Sequence, residues 1–215
     1  MAMTNDLWRF LLDYPQDVFG EDDTQLDSLM DRAVEAGLPS IAITHGSGQL
    51  LKLLTSLTPG RLALEVGTLG GFSGIWIARG LAPDGRLITI ESTDVHADFA
   101  QGEFDAAGVG DRVEIVRGAA LDVLPGVVAG LGDAGIDVAF IDALKDEYSQ
   151  YFDILKPAMA TDGLIVADNV YGTGRGWIDE GFGTDDFNRY VAADGDFEAT
   201  TILVGAGLLI ARKRG

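Results

Sequence analysis

The chain holds 215 residues, 47% of them hydrophobic, with a formal net charge of −19 and no cysteine. That size and composition suit one globular domain with a sizeable core, and the missing cysteines exclude disulfides, thiolate metal sites and thiol nucleophiles. So acidic a protein disfavours nucleic acid and anionic membranes as partners.

The first residues carry Asp6 and Asp13 and little positive charge, so they do not read as a secretory signal. No apolar run approaches the roughly 20 residues of a membrane span, and a cytoplasmic location is expected. Residues 1–60 are expected to form a helical cap, with helices over about 5–13, 24–37 and 45–57. Asp22, Asp23 and Thr24 supply N-cap chemistry for the second, and Gly37 followed by Pro39 ends it. The third carries Leu50, Leu51, Leu53, Leu54 and Leu57 as an apolar stripe. Its opening segment, Gly46 to Leu51, suits equally a cap on the core or a wall of a binding site.

From residue 61 strands and helices alternate. Strands are predicted over 62–66, 86–91, 113–116, 138–141, 164–167, 198–203 and 208–212. Helices are predicted over 72–81, 96–107, 121–129, 147–155 and 184–193, with a Gly-rich loop over 172–183. Continuous apolar strands separated by helices mean a parallel, doubly wound sheet. The last two strands, joined by Gly205-Ala206-Gly207, read as a hairpin, so one strand should run antiparallel. The expected fold is a single α/β domain over 1–215, its seven-stranded sheet within 61–215.

Ligands of an open α/β sheet bind outside the carboxyl ends of its strands. The first strand, Leu-Ala-Leu-Glu-Val, runs into four glycines within eight residues: Gly67, Gly70, Gly71 and Gly74. Clustered glycines let a ligand approach the backbone. Leu69 stands where the dinucleotide fingerprint needs its second glycine, and no Lys-Ser/Thr pair makes a phosphate-binding loop. Glu65 suits a cationic ligand and would repel a pyrophosphate. The Glu-x-Gly-x-x-x-Gly pattern from Glu65 to Gly71 resembles motif I of class I S-adenosylmethionine (SAM) methyltransferases, whose seven-stranded sheet also ends in an antiparallel hairpin. Glu91, about 25 residues on at a second strand end, can accept both hydroxyls of a ribose; a solvated acidic loop residue is the plain alternative. Gly118, Ala119 and Ala120 are small enough for an adenine ring to lie flat against the backbone.

The fourth strand ends in Asp142 and the fifth in Asp168-Asn169. Two carboxylates and an amide oxygen suit Mg²⁺ or a similar hard cation, completed by water and substrate oxygens. A simple Asx turn at Asp168-Asn169 is the alternative. The runs Val138-Ala-Phe-Ile-Asp-Ala-Leu-Lys-Asp-Glu-Tyr148 and Gly163-Leu-Ile-Val-Ala-Asp-Asn-Val170 resemble two motifs of the cation-dependent O-methyltransferases, the family of the catechol and caffeoyl-CoA enzymes. The likeness runs from about Gly48 to Arg214 and includes Phe187-Asn188. It implies Asp142, Asp168 and Asn169 as metal ligands and Lys145 as general base. It implies SAM contacts at Glu65, Gly67, Thr68, Gly71, Ser73, Glu91 and Ser92, with Gly118, Ala119 and Ala120 near the adenine and Asp142 near the methionine part. A homodimer is implied as well. Leu144, Ala206 and the segment from Tyr171 to Phe182 depart from the family pattern and leave the acceptor open.

The expected activity is therefore SAM- and divalent-cation-dependent O-methylation of a catechol-like or other vicinal-oxygen small molecule. A bound cation would lower the acceptor hydroxyl's pKa, and SAM carries an activated methyl, so alignment is the protein's main task. Lys145 would take the proton or stabilise the phenolate. Three alternatives stay open. They are a metal-independent class I methyltransferase acting on an amine or carboxylate, an NAD(P) oxidoreductase disfavoured by Leu69 and the antiparallel ending, and a SAM-binding protein without catalysis. Only Lys52, Lys145, Lys156 and Lys213 represent lysine. So acidic, lysine-poor a surface resembles those of salt-adapted proteins, where the Debye length falls to about 3 Å at 1 M salt.

Overall fold

The computed structural model describes residues 10, 14, 17–20, 23–173, 176–180 and 184–215. Apart from residue 10, the predicted helix over 5–13 lies outside the described residues, as does part of the Gly-rich loop. Seven strands form one sheet: β1 (Leu62–Val66), β2 (Arg86–Glu91), β3 (Val113–Arg117), β4 (Ile136–Ile141), β5 (Met159–Ala167), β8 (Phe197–Ile202) and β9 (Leu208–Lys213). Between β5 and β8 lies a two-residue hairpin, β6 (Gly172–Thr173) with β7 (Gly176–Trp177). The sheet order is β3-β2-β1-β4-β5-β9-β8. All neighbours pair parallel except β9, which runs antiparallel to β5 and β8. The strand order reverses between β1 and β4, and the crevice beyond that switch point is where such sheets bind ligands.

The helices are α1 (Thr24–Asp27), α2 (Leu29–Glu35), α3 (His45–Ser56), α4 (Phe72–Gly80), α5 (Asp94–Ala106), α6 (Ala120–Gly130), α7 (Tyr148–Leu155) and α8 (Asp185–Ala192). Among the described residues no helix is long and apolar enough to cross a membrane. Asp23 caps α1 as its sequence promises, accepting from the Leu26 amide at 3.0 Å. The single helix expected over 24–37 breaks at Ser28, whose hydroxyl bonds back to the Thr24 carbonyl and competes with helix continuation.

α4 is buried on nearly every side because it lies between the sheet and α3. The close approach needs glycine: a Cβ on Gly48 would sit 2.2 Å from the Trp76 indole, and one on Gly80 would sit 2.5 Å from the Lys52 carbonyl. The inner face of α3 is thus Ser47, Gly48, Leu51 and Thr55. Leu53 and Leu57, read from sequence as part of its packing stripe, lie on the far face, 55% and 73% exposed. α3 acts as the cap, and the segment just before it walls the crevice.

β4 starts two residues earlier than its apolar run suggested because Asp137 is a structural strand residue. It is 2% exposed, and its carboxylate accepts the amides of Arg61 at 2.7 Å and Leu62 at 3.1 Å, fixing where β1 begins. That bond sets the register from which the β1 end projects into the site.

Candidate active site

A cleft of about 1000 Å³ opens over the carboxyl ends of β1, β2, β3 and β4. Its floor is the turn between β1 and α4. Gly67 has φ +102°, and a Cβ there would lie 2.2 Å from the Asp142 carbonyl, so glycine is required where β1 and β4 end side by side. Farther along, a Cβ on Gly74 would meet the Phe104 ring at 2.9 Å and Glu65 Oε2 at 3.0 Å. Part of the glycine clustering therefore serves the protein's own packing beneath the cleft, not ligand approach.

Leu69 in the same turn adopts φ +48° despite its side chain, a conformation costing roughly 1–2 kcal/mol for an L-residue. The amide so aimed donates to Glu91 Oε2 at 2.9 Å, and the Thr93 amide donates to Oε1 at 2.9 Å. His96 Nδ1 lies 3.3 Å from Oε1. Glu91 is thereby held at the cleft wall with lone pairs left for a ligand. Glu65 sits differently. It is wholly buried beneath the turn, Oε1 accepting from Ser73 and Oε2 from Thr89, both at 2.6 Å. Burial raises its carboxyl to about 7, the Ser73 and Thr89 hydrogen bonds pull it down, and the charges of Asp142 and Glu91 push it up.

At the other end of the cleft, β4 and β5 deliver Asp142, Asp168 and Asn169. The Asp142 amide bonds to the Val66 carbonyl at 2.9 Å and the Asp168 amide to the Ile141 carbonyl at 3.1 Å, which extends the parallel ladder into the site. Asn169 takes φ +61°, which asparagine tolerates better than most residues. Asp168 is 6% exposed, and its Oδ1 is buried without a hydrogen-bond partner. Burial lifts the Asp168 carboxyl to about 7 and the nearby Asp142 charge adds to it, against help from the Asn169 amide and Lys145. Two crowded carboxylates, one with an unsatisfied oxygen, form a corner where acidic groups outnumber the one ammonium, Lys145.

Residues 16–214 match the family model described as O-methyltransferase. The chain belongs to the O-methyltransferase family. A catechol O-methyltransferase of Niastella koreensis is 39% identical over 173 residues, 80% of this chain and 78% of the relative. Another from Mycobacterium tuberculosis is 42% identical over 149 residues, 69% of this chain and 66% of the relative. An O-methyltransferase from Bacillus cereus, solved in complex with SAH, matches with a TM-score of 0.87 at 31% identity, over 97% of this chain and 99% of that one. TomG of Streptomyces achromogenes, an O-methyltransferase of tomaymycin synthesis solved with SAM, gives 0.87 at 32% identity over 100% of both chains. The activity is SAM-dependent methyl transfer to oxygen, and the NAD(P) oxidoreductase alternative falls.

In this methyltransferase Lys145 reaches into the cleft from the turn before α7. Its Nζ donates to Asp142 Oδ1 at 2.6 Å and to the Tyr148 hydroxyl at 2.8 Å, and it lies 5.0 Å from the Tyr148 ring centre. Tyr148 is fully buried, donates to the Asp168 carbonyl at 3.3 Å, and is raised well above the usual phenol range by burial and then by Asp142 and Asp168. α8 braces the corner from behind. Phe187 packs edge-on to Tyr148 with ring centres 5.4 Å apart, and Asn188 Nδ2 donates to the Val170 carbonyl at 3.0 Å.

Of the residues singled out by sequence, Gly67, Thr68, Ser73, Glu91, Ser92, Gly118, Ala119, Ala120, Asp142, Lys145 and Asn169 line the cleft. Glu65 and Gly71 lie beneath the turn, and Asp168 lies behind the cleft surface beside Asn169. Sequence reasoning missed the wall formed by Pro39 to Ile43, and His96 and Tyr151, which also line it. A helical pattern carries no signal for a loop wall, but Asp-Val-His one turn after a strand-end Glu could have flagged His96.

Proposed function

We propose that the methyltransferase methylates one oxygen of a catechol-like or other vicinal-oxygen small molecule, with a divalent cation such as Mg²⁺ held by Asp142, Asp168 and Asn169. One observation carries this reading: Asp168 Oδ1 is buried with no partner, beside a second carboxylate and an amide at adjacent strand ends. The donor chemistry fits a hard cation. Among the described residues no group of three or more His, Cys, Asp or Glu side chains gathers to hold a metal, so the set is two carboxylates and one amide, completed by water and acceptor oxygens. When bound, such a cation would lower the pKa of an acceptor hydroxyl and fix its neighbour.

The chain's own groups supply the rest. Glu91, steadied by the Leu69 and Thr93 amides, is placed to accept from the ribose hydroxyls. Ala119 and Ala120 offer the adenine a flat backbone, and Asp142 with the Gly67 turn faces the amino-acid end. Lys145 Nζ, held in place by Tyr148, neutralises the phenolate as an ammonium, or takes the acceptor proton once it has itself given a proton to solvent. Two relatives named catechol O-methyltransferase support the acceptor class. The amine acceptor falls with the O-methyltransferase assignment; a second reading, metal-free methylation of a carboxylate oxygen, is favoured by one contact: Lys145 already neutralises Asp142.

The proposal includes a cytoplasmic enzyme in which residues 1–60 cap a core of residues 61–215. Two copies would pair through the exposed apolar face of α3, including Leu53 and Leu57. Its charge of −19 makes it salt-requiring, with self-repulsion screened by molar KCl. The deciding assay compares methylation of a catechol and of its monophenol analogue. Turnover confined to the catechol, abolished by EDTA and restored by Mg²⁺, is expected; EDTA-resistant turnover, or equal rates for both, promotes the metal-free reading.

A further inference from the structure

We infer that the acceptor is an uncharged or cationic apolar diol and that the cleft rejects acceptors bearing an acid; this rests on the vicinal-oxygen reading above. Of the described side chains lining the cleft, Glu91, Asp122, Asp142 and Glu147 bring carboxylates, whereas Lys145 is the one Lys or Arg among them. That ammonium is committed, 2.6 Å from Asp142 Oδ1 and 2.8 Å from the Tyr148 hydroxyl. Asp168 adds a fifth carboxylate behind the wall. Even with a divalent cation, Lys145 and the single net positive charge of SAM counted in, the carboxylates still outnumber the positive charges among the described acidic and lysine groups of the cleft. The whole chain, at −19, adds a field of the same sign. A cleft lined by one sign of charge concentrates that sign's counter-ions and repels its like. Among the described residues lining the cleft, an acceptor carboxylate would have to compete with Asp142 for Lys145 and with Glu91 for His96.

The rim specifies the other half of the ligand. Ile41 and Leu144 line the cleft 70% and 65% exposed. Large apolar side chains held at the mouth of a pocket suit the apolar body of a ligand whose polar atoms point inward. At position 144, a polar residue would have offered hydrogen bonds to an acceptor substituent; leucine offers only surface.

The test is kcat/KM for three catechols, with saturating SAM and Mg²⁺: 4-(2-carboxyethyl)catechol, its near-isosteric neutral carboxamide and the cationic 4-(2-aminoethyl)catechol. In about 20 mM salt the acid should be at least about tenfold poorer than the neutral diol, and the amine equal or better. In about 1 M KCl the gap should shrink several-fold as screening shortens to about 3 Å. Glu147→Gln, which keeps an oxygen for the Tyr151 hydroxyl, should narrow the ratio of neutral-diol to acid kcat/KM, and an unchanged ratio would count against the inference. An acid turned over as well as the neutral diol at low salt overturns the inference and leaves the vicinal-oxygen reading standing. Turnover of none of the three overturns both.

Discussion

The two ends of the cleft differ in how fully they satisfy their carboxylates. At the β1–β2 end each one has donors of its own: Glu91 takes two backbone amides, and Glu65 takes two hydroxyls at 2.6 Å. At the β4–β5 end Asp142 takes the Lys145 ammonium at 2.6 Å, but Asp168, pressed by the Asp142 charge, keeps Oδ1 with no partner at all. A carboxylate satisfied by the protein is already oriented when its ligand arrives and loses little on waiting. A buried oxygen left unsatisfied costs about 1–3 kcal/mol, a cost that makes sense if a cation offsets it. On the proposed function, the contrast separates a corner that recognises the cofactor from a corner that a cation would complete.

Removing Asp168 should break that contrast hardest. Asp168→Ala is expected to lower kcat/KM at least about 10²-fold, roughly 2.7 kcal/mol of transition-state stabilisation. SAM affinity by calorimetry should stay within a few-fold of wild type. Parallel losses in both would mean that the two ends are one site and not two.

Glu91→Ala should produce the reverse pattern with a smaller effect. Loss of charge-assisted bonds to a ribose should weaken SAM binding by about 1–3 kcal/mol, with the dependence on Mg²⁺ unaltered. Unchanged SAM affinity in a calorimetric titration would remove Glu91 from the cofactor site.

Sequence reading located both ends but could not distinguish their states. Strand β1 and the Asp142 and Asp168-Asn169 positions were legible because buried parallel strands are short apolar runs that end where polarity begins. Asp137 shortened the reading of β4 because a buried aspartate looks like a strand's end until Arg61 and Leu62 are seen donating to it. Glu65 and Glu91 look alike in sequence, both strand-end glutamates. Only the fold shows Glu65 beneath the turn and Glu91 at the cleft wall. The small β6–β7 hairpin was hidden inside what read as a glycine-rich loop, since two-residue strands have no periodicity to detect.

The smallest expected effect sharpens the position of Glu65. Its folded carboxyl is raised by burial to about 7 from an ordinary 4.5, so between those values the folded state binds more protons than the unfolded one. Stability from this group is therefore fullest below about pH 4.5 and is lost as pH rises through about 7. The melting temperature should fall across that window in wild type and fall less steeply in Glu65→Gln, which cannot ionise. Identical slopes would show that the hydroxyls of Ser73 and Thr89 hold the carboxylate ionised throughout.

The most direct measurement is a titration of the protein with Mn²⁺ as a stand-in for Mg²⁺, followed by electron paramagnetic resonance in the absence of any acceptor. Wild type should bind one ion, Asp168→Ala and Asn169→Ala should bind it at least about tenfold more weakly because each removes an oxygen ligand of the ion, and Glu91→Ala should bind it like wild type. Binding that is absent in wild type, or that survives Asp168→Ala unchanged, would contradict a cation site at the β4–β5 corner.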